Sequence, residues 1–214
     1  MKKYTKQTAL LGTLLLATFG LWTFLVQTVD VRPVGQNGTD IGFAVVNLWF
    51  HRLTGVHMWL YTATDWLGLV PLCVCLLFAG VGMMQLCKRK SICKVDKDIL
   101  LLGVYYGMVI AGYLAFEAFP VNYRPIPIDG VMEASYPSST TLLVLCVMPT
   151  LTEQAGRRLT NPAAKRVVAA ASTLFAVGMV VGRLLSGVHW LTDIVGAVLL
   201  SAGLFALYKT AVEN

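Results

Sequence analysis

Charge is what this sequence has least of. Only 13% of its 214 residues are Asp, Glu, Lys or Arg, while 57% are hydrophobic and the mean hydropathy is +0.69. A soluble domain carries about a quarter charged residues, and so few ionic side chains cannot cover a surface that faces water. A DNA-binding protein, a disordered tail and a small disulfide scaffold are therefore excluded as classes. Low-complexity tracts and long-period repeats are also lacking. Metal-ligating residues are sparse: there are three histidines, and Cys87 and Cys93 bracket a basic loop without the second pair that a thiolate site needs. What remains is a polytopic membrane protein forming a single domain over residues 1–214.

The few charges mark out the spans. Charge-free intervals run from Lys6 to Asp30, Asp65 to Lys88, Asp98 to Glu117, Glu133 to Glu153, Arg166 to Arg183 and Asp193 to Lys209. A spanning helix needs about 20 mainly apolar residues, within a range of roughly 17 to 25. The first four intervals fit, and the shorter last two fit if their flanking side chains snorkel. The fold predicted is all-α, a bundle of six transmembrane helices. The opening Met1-Lys2-Lys3 looks like a signal peptide, but the apolar stretch after it is long and has no small-residue cleavage site, so it reads as a retained first span.

Thirteen of the 17 basic residues fall on one side if the N-terminus is inside, in the groups Lys2–Lys6, Lys88–Lys97, Arg157–Arg166 and Lys209. The positive-inside rule then puts both termini in the cytoplasm. These cations face the anionic inner leaflet and account for the net charge of +6 without a nucleic-acid partner. No cysteine lies on the outer side, so no structural disulfide is expected. Between the first two spans, Ile41–Tyr61 is rich in aromatic residues and suits an interfacial helix. The short loops and compact plan look bacterial.

Three outer segments hold polar residues at one membrane depth. Arg124 follows span three, Ser138 precedes span four, and Arg183, His189 and Asp193 join spans five and six. Guanidiniums bind phosphate oxygens through forked hydrogen bonds and offset the charge that moves during transfer. A neutral imidazole can attack phosphorus, and a carboxylate four residues on can orient it as the acid of a triad does. This chemistry calls for no metal or other cofactor. Each residue also has a duller reading: Asp193 and Ser138 as helix caps, Arg183 as an interfacial anchor, Arg124-Pro125 as a turn.

These segments resemble the type 2 phosphatidic acid phosphatase (PAP2) superfamily, whose motifs are K-x6-R-P, P-S-G-H and S-R-x5-H-x3-D. Arg183-x5-His189-x3-Asp193 matches the third, Arg124-Pro125 half of the first, and Pro137-Ser138 half of the second. The resemblance implies a six-span PAP2-like bundle and a lipid phosphate or pyrophosphate substrate at the outer face. It makes His189 the nucleophile that forms a phosphohistidine and Asp193 its partner, with Arg124, Arg183 and Ser138 on the phosphate. Three positions depart from the pattern. The first-motif lysine falls on Glu117, the leaving-group histidine of the second motif on Thr140, and the third-motif serine on Gly182.

A threonine cannot replace imidazole as a general acid, a loss worth about 10²–10⁴-fold in rate. A lipid pyrophosphate, such as a polyprenyl diphosphate, suffers less than phosphatidic acid because its leaving group needs less protonation. Two residues offer a substitute acid: Glu117, and His57 in Gly55-Val56-His57, which echoes Gly187-Val188-His189. Two alternatives stay open, a phosphotransferase passing the group to an acceptor other than water and a non-catalytic lipid-phosphate binder. Which lipid is used, and in what oligomeric state, the sequence leaves open.

Overall fold

The computed structural model describes residues 2–213 and is all-helical, with no β-strand and three isolated bridges among the described residues. Eight α-helices run in chain order: α1 (Lys2–Thr28), α2 (Ala44–Thr54), α3 (Met58–Leu67), α4 (Leu69–Arg89), α5 (Lys97–Ala118), α6 (Ser139–Arg158), α7 (Pro162–Leu185) and α8 (Leu191–Glu213). Five segments are long and apolar enough to cross a membrane: Tyr4–Thr28, Met58–Arg89, Lys97–Ala118, Pro162–Leu185 and Leu191–Glu213.

The sixth long helix, α6, falls outside that set for a structural reason. It lies inside the bundle, against α4, α5, α7 and α8, and buries Thr141, Thr150 and Gln154 along with its apolar residues. Most of these polar groups find partners in the protein: Gln154 Nε2 donates to Tyr208 Oη at 3.0 Å, although its Oε1 has no partner, and the Thr150 and Tyr106 hydroxyls meet at 2.7 Å. A helix screened from lipid need not be uniformly apolar. α8 is similarly central, with 56% of its apolar window buried, whereas α1 has 11% and turns Leu10, Leu14, Leu21 and Phe24 outward.

The start of the second span differs from the sequence expectation. Asp65 does not precede a helix; it lies inside α3, which begins at Met58 and passes through Gly68 into α4. The carboxylate is tolerated there because it is paired with Arg183 (below), so charge alone misplaced the boundary. The aromatic segment before it is also not one helix. It breaks at Gly55, whose φ of 70° is open to glycine at little cost.

Local chemistry explains several ends. Asn161 caps α7, its Oδ1 accepting from Ala163 N–H at 2.8 Å, and Pro162 follows at the first helical position. At the end of the bundle where α4, α6 and α8 finish and α5 and α7 begin, Arg89 pairs with Asp96 and Arg158 with Asp98, both at 2.7 Å. All five cysteines are free.

Candidate active site

The opposite end of the bundle gathers the start of α6, the end of α7, the start of α8 and the whole of α3. The link between α7 and α8 is a tight turn over Ser186–Trp190. Gly187 holds φ 72° there, and a Cβ on it would collide with the Gly55 carbonyl. The two Gly-Val-His triplets therefore lie against each other. His57 N–H donates to Ser186 O at 2.9 Å, and the His51 Nε2 lies 3.1 Å from Gly187 O.

His189 sits in this turn with its side chain 1% exposed, and Asp193 follows in the first turn of α8 at 0%. Asp193 Oδ2 accepts from Trp190 N–H at 2.9 Å, reaching back to the residue before the helix as a capping-box acid does. Asp193 Oδ1 accepts from Asn122 Nδ2 at 3.2 Å. The capping reading of Asp193 is therefore part of its role, and the same carboxylate also faces His189. Nδ1 of His189 is 3.7 Å from Asp193 Oδ2, longer than a hydrogen bond; such contacts in an empty site often tighten when substrate binds. Neither ring nitrogen has a hydrogen-bond partner. Burial pushes the imidazole down to about 4, against the pull of Asp193 and with help from Arg124 and Arg183, so the ring is neutral at physiological pH.

The two arginines are interior residues, which removes the interfacial-anchor reading of Arg183. Arg183 is 1% exposed. Its Nη2 donates to Thr140 Oγ1 at 2.5 Å and to Asp65 Oδ1 at 3.3 Å, and its Nη1 reaches Thr64 Oγ1 at 3.4 Å. Arg124 is supplied by a hairpin-like loop in which Tyr123 bridges Ala134, and its Nε lies 2.9 Å from Glu133 Oε2. That loop is pinned by Trp190 Nε1 donating to Tyr123 O at 2.8 Å and by Gln36 Nε2 donating to Arg124 O at 2.8 Å. Both guanidiniums lie over the Tyr61 ring, Arg183 at 4.9 Å and Arg124 at 5.7 Å from its centroid. One ring thus brings two like charges side by side.

The pairing is asymmetric. The Arg183 side chain is 2% exposed and its Asp65 partner 58%; the Arg124 side chain is 8% exposed and Glu133 39%. The carboxylates stand on the outer side of the guanidiniums, where an incoming anion would exchange with them. Meanwhile Arg124 Nη1 and Arg183 Nε are buried without hydrogen-bond partners. A buried donor without a partner costs about 1–3 kcal/mol, and here two such donors lie beside two unpartnered imidazole nitrogens.

The other sequence candidates fall around this centre. Ser138 is fully buried as the cap residue of α6; its Oγ donates to Thr141 Oγ1 at 3.1 Å and its N–H to Asp193 O at 3.3 Å. Glu117 is exposed on α5, lining a small hollow with Pro137 and Ser139; neither arginine pairs with it, since each has another carboxylate. His57 is exposed, with Nε2 2.9 Å from Thr54 O. Tyr61, Thr64, Asp65, Asn122 and Glu133 complete the site and were not singled out from sequence. Asp65 and Glu133 did give a signal there, as isolated charges beside apolar intervals. No group of three or more His, Cys, Asp or Glu residues suited to a metal occurs among the described residues.

A groove of about 380 Å³ opens from Asp65 and Thr140 and runs along Leu69, Leu72, Ile110 and Leu143, between α4, α5 and α6. Asp65 and Thr140 at its polar end both bond Arg183, and most of the remaining lining is apolar.

No curated protein matches the sequence. The crystal structure of a transmembrane PAP2-type phosphatidylglycerolphosphate phosphatase from Bacillus subtilis aligns with a TM-score of 0.66 over 92% of this chain and 94% of that one, at 20% identity, a likeness of fold. The signature of the PAP2 superfamily matches residues 104–214, the half of the chain that supplies Arg124, Ser138, Arg183, His189 and Asp193. By that match, and with those five residues meeting at one end of a helical membrane bundle, the chain belongs to the PAP2 superfamily.

Proposed function

We propose that this protein is a membrane phosphatase that removes phosphate from a lipid phosphate or pyrophosphate through a phosphohistidine at His189. The observation that carries the proposal is the set of buried, unpartnered nitrogens on His189, Arg124 and Arg183. A tetrahedral anion placed among them would accept from both guanidiniums and meet Nε2 of a neutral imidazole. A mere phosphate binder has no use for an imidazole held neutral by burial and faced by a carboxylate.

In the first step His189 Nε2 attacks phosphorus as the bond to the leaving oxygen breaks. Nδ1–H points to Asp193, which stabilises the positive charge that develops on the ring. Arg124 and Arg183 hold the phosphoryl oxygens, and Ser138 joins the start of α6 to Asp193 through its N–H. In the second step water displaces the imidazole and phosphate leaves. The groove beside Thr140 supports a substrate with a hydrocarbon chain, and the exposed apolar faces of α1, α4, α5 and α7 support presentation from the bilayer.

The same reading assigns α6 as the sixth span, shielded by its neighbours, and α2 with exposed Trp49 and Leu53 as an interfacial helix. It puts both termini and the basic loops in the cytoplasm and the site at the outer face, supported by the excess of Lys and Arg at the end away from His189.

The test is phosphate release by purified protein in detergent with EDTA, from phosphatidic acid, phosphatidylglycerol phosphate and a polyprenyl diphosphate. Release that is lost in His189→Ala is the expected result. Release unaffected by His189→Ala, or none from any of the three lipids, would overturn the proposal.

A further inference from the structure

The departure at Thr140 leaves the family's leaving-group acid without an obvious successor, and the environment of Arg183 supplies one. Thr140 Oγ1 and Asp65 Oδ1 share a single nitrogen, Arg183 Nη2, at 2.5 and 3.3 Å. The carboxylate therefore lies beside the position where an imidazole would extend from residue 140, and both line the head of the same groove. Asp65 comes from α3, outside the matched residues 104–214, so no motif in the C-terminal half would reveal it. Glu117 and His57 lack this contact. Resting on the phosphatase reading above, we propose that Asp65 is the general acid that protonates the leaving oxygen and the general base that activates water afterwards.

The exchange follows from the charges present. The Asp65 carboxylate balances Arg183 at 3.3 Å. An arriving phosphate takes over that guanidinium, and the released carboxylate takes a proton from solvent. The other charged and titratable groups facing this point are Arg124 and Glu133 from the loop and Tyr61 from α3. As the His189 Nε2–P bond forms and the P–O bond breaks, the Asp65 proton passes to the leaving oxygen, releasing the lipid alcohol or lipid phosphate. The Asp65 carboxylate then takes a proton from water, whose oxygen bonds to phosphorus as the P–N bond breaks. Inorganic phosphate leaves and Asp65 is again protonated, ready to lose that proton to solvent when Arg183 returns to it. An acid at Asp65 extends the substrates from pyrophosphates to alkyl monoesters, whose leaving groups need the proton most.

The experiment compares two substrates that differ in that need, dodecyl phosphate and p-nitrophenyl phosphate, using wild type, Asp65→Asn, Asp65→Glu, Glu133→Gln and His189→Ala in detergent with EDTA. With enzyme in excess, so that only the first step is read, Asp65→Asn is expected to lower single-turnover release of dodecanol by about 10²–10⁴-fold and that of p-nitrophenolate by less than about tenfold. Asp65→Glu is expected to recover part of the alkyl activity, and Glu133→Gln to affect both esters alike. Equal losses on both esters in Asp65→Asn would make Asp65 a positioning residue for Arg183 and overturn the proposal, as would an unchanged alkyl rate. Wild-type activity that survives in His189→Ala would instead overturn the phosphohistidine reading on which this one rests. Single-turnover release of p-nitrophenolate within about tenfold of wild type shows that Asp65→Asn is folded.

Discussion

A neutral His189 makes a sharp prediction about proton binding. The ring is buried, and burial outweighs the attraction of Asp193, so its value falls from 6.5 to about 4. At pH 5.5 an imidazole of ordinary pKa is about 90% protonated, whereas one at 4 is about 3% protonated. The assay is nitrogen NMR of protein labelled at its three histidines, in detergent micelles, with His189 identified by loss of its signal in His189→Ala. His189 is expected to keep the neutral spectrum at pH 5.5. The same gap has a stability consequence whose sign is fixed. Because the folded value lies below the unfolded one, the unfolded chain takes up the proton first as pH falls. Stability therefore declines from about pH 7 to pH 4 and then levels off, by a total of about 3 kcal/mol. Unfolding by SDS titration should show a shallower slope over that interval in His189→Ala. A ring that titrates at or above 6.5 would refute the reasoning, since the field of Asp193 would then exceed the cost of burial and the nucleophile would be protonated in the resting site.

Three further outcomes are expected. Asp193→Asn keeps the shape of the side chain but removes the charge that orients and stabilises the imidazolium, so turnover should fall by about 10⁴-fold while Kd for an unreactive phosphonate changes little. Tyr61→Leu removes the ring shared by both guanidiniums and should weaken phosphonate binding by about 2- to 30-fold, with Tyr61→Phe close to wild type by the same isothermal titration. Restoring the family serine by Gly182→Ser should destabilise rather than improve the protein, because a Cβ there would lie 2.6 Å from Thr64 Cγ2. The cost should be about 1–3 kcal/mol in SDS unfolding and should shrink in the double variant with Thr64→Ser, which removes that methyl.

Much of this arrangement was legible in the sequence, and the exceptions share a cause. The charge-free intervals that end at Arg183 and resume at Asp193 place His189 in the link between two spans, and the structure has it there. Charge-free runs locate α1, α5, α7 and α8 because those helices meet lipid over much of their length. The rule fails at Asp65, where the charge is neutralised by a partner 118 residues away. α6 escapes the same pattern for a related reason, its Thr150 hydroxyl and Gln154 Nε2 being bonded by tyrosines on other helices. Tyr61 and Thr64 leave no local mark at all, since their work is done on an arginine from α7. Gly182 reads as a defect in the motif until α3 is seen packed against it.

The packing of α1 along α8 bears on how the protein is made. Trp22 Nε1 donates to Thr192 O at 3.2 Å, and Thr23 Oγ1 meets Tyr136 Oη in the loop before α6 at 2.7 Å, so α1 is held by residues made long after it. Until α8 arrives there is no His189–Asp193 pair seated on the earlier helices, and α1 waits in the bilayer with its partner still unsynthesised. Contacts between such distant segments form late and slowly. A nascent chain that lacks α8 therefore lacks the seated His189–Asp193 pair, and the proposed site is complete only when both helices are in place.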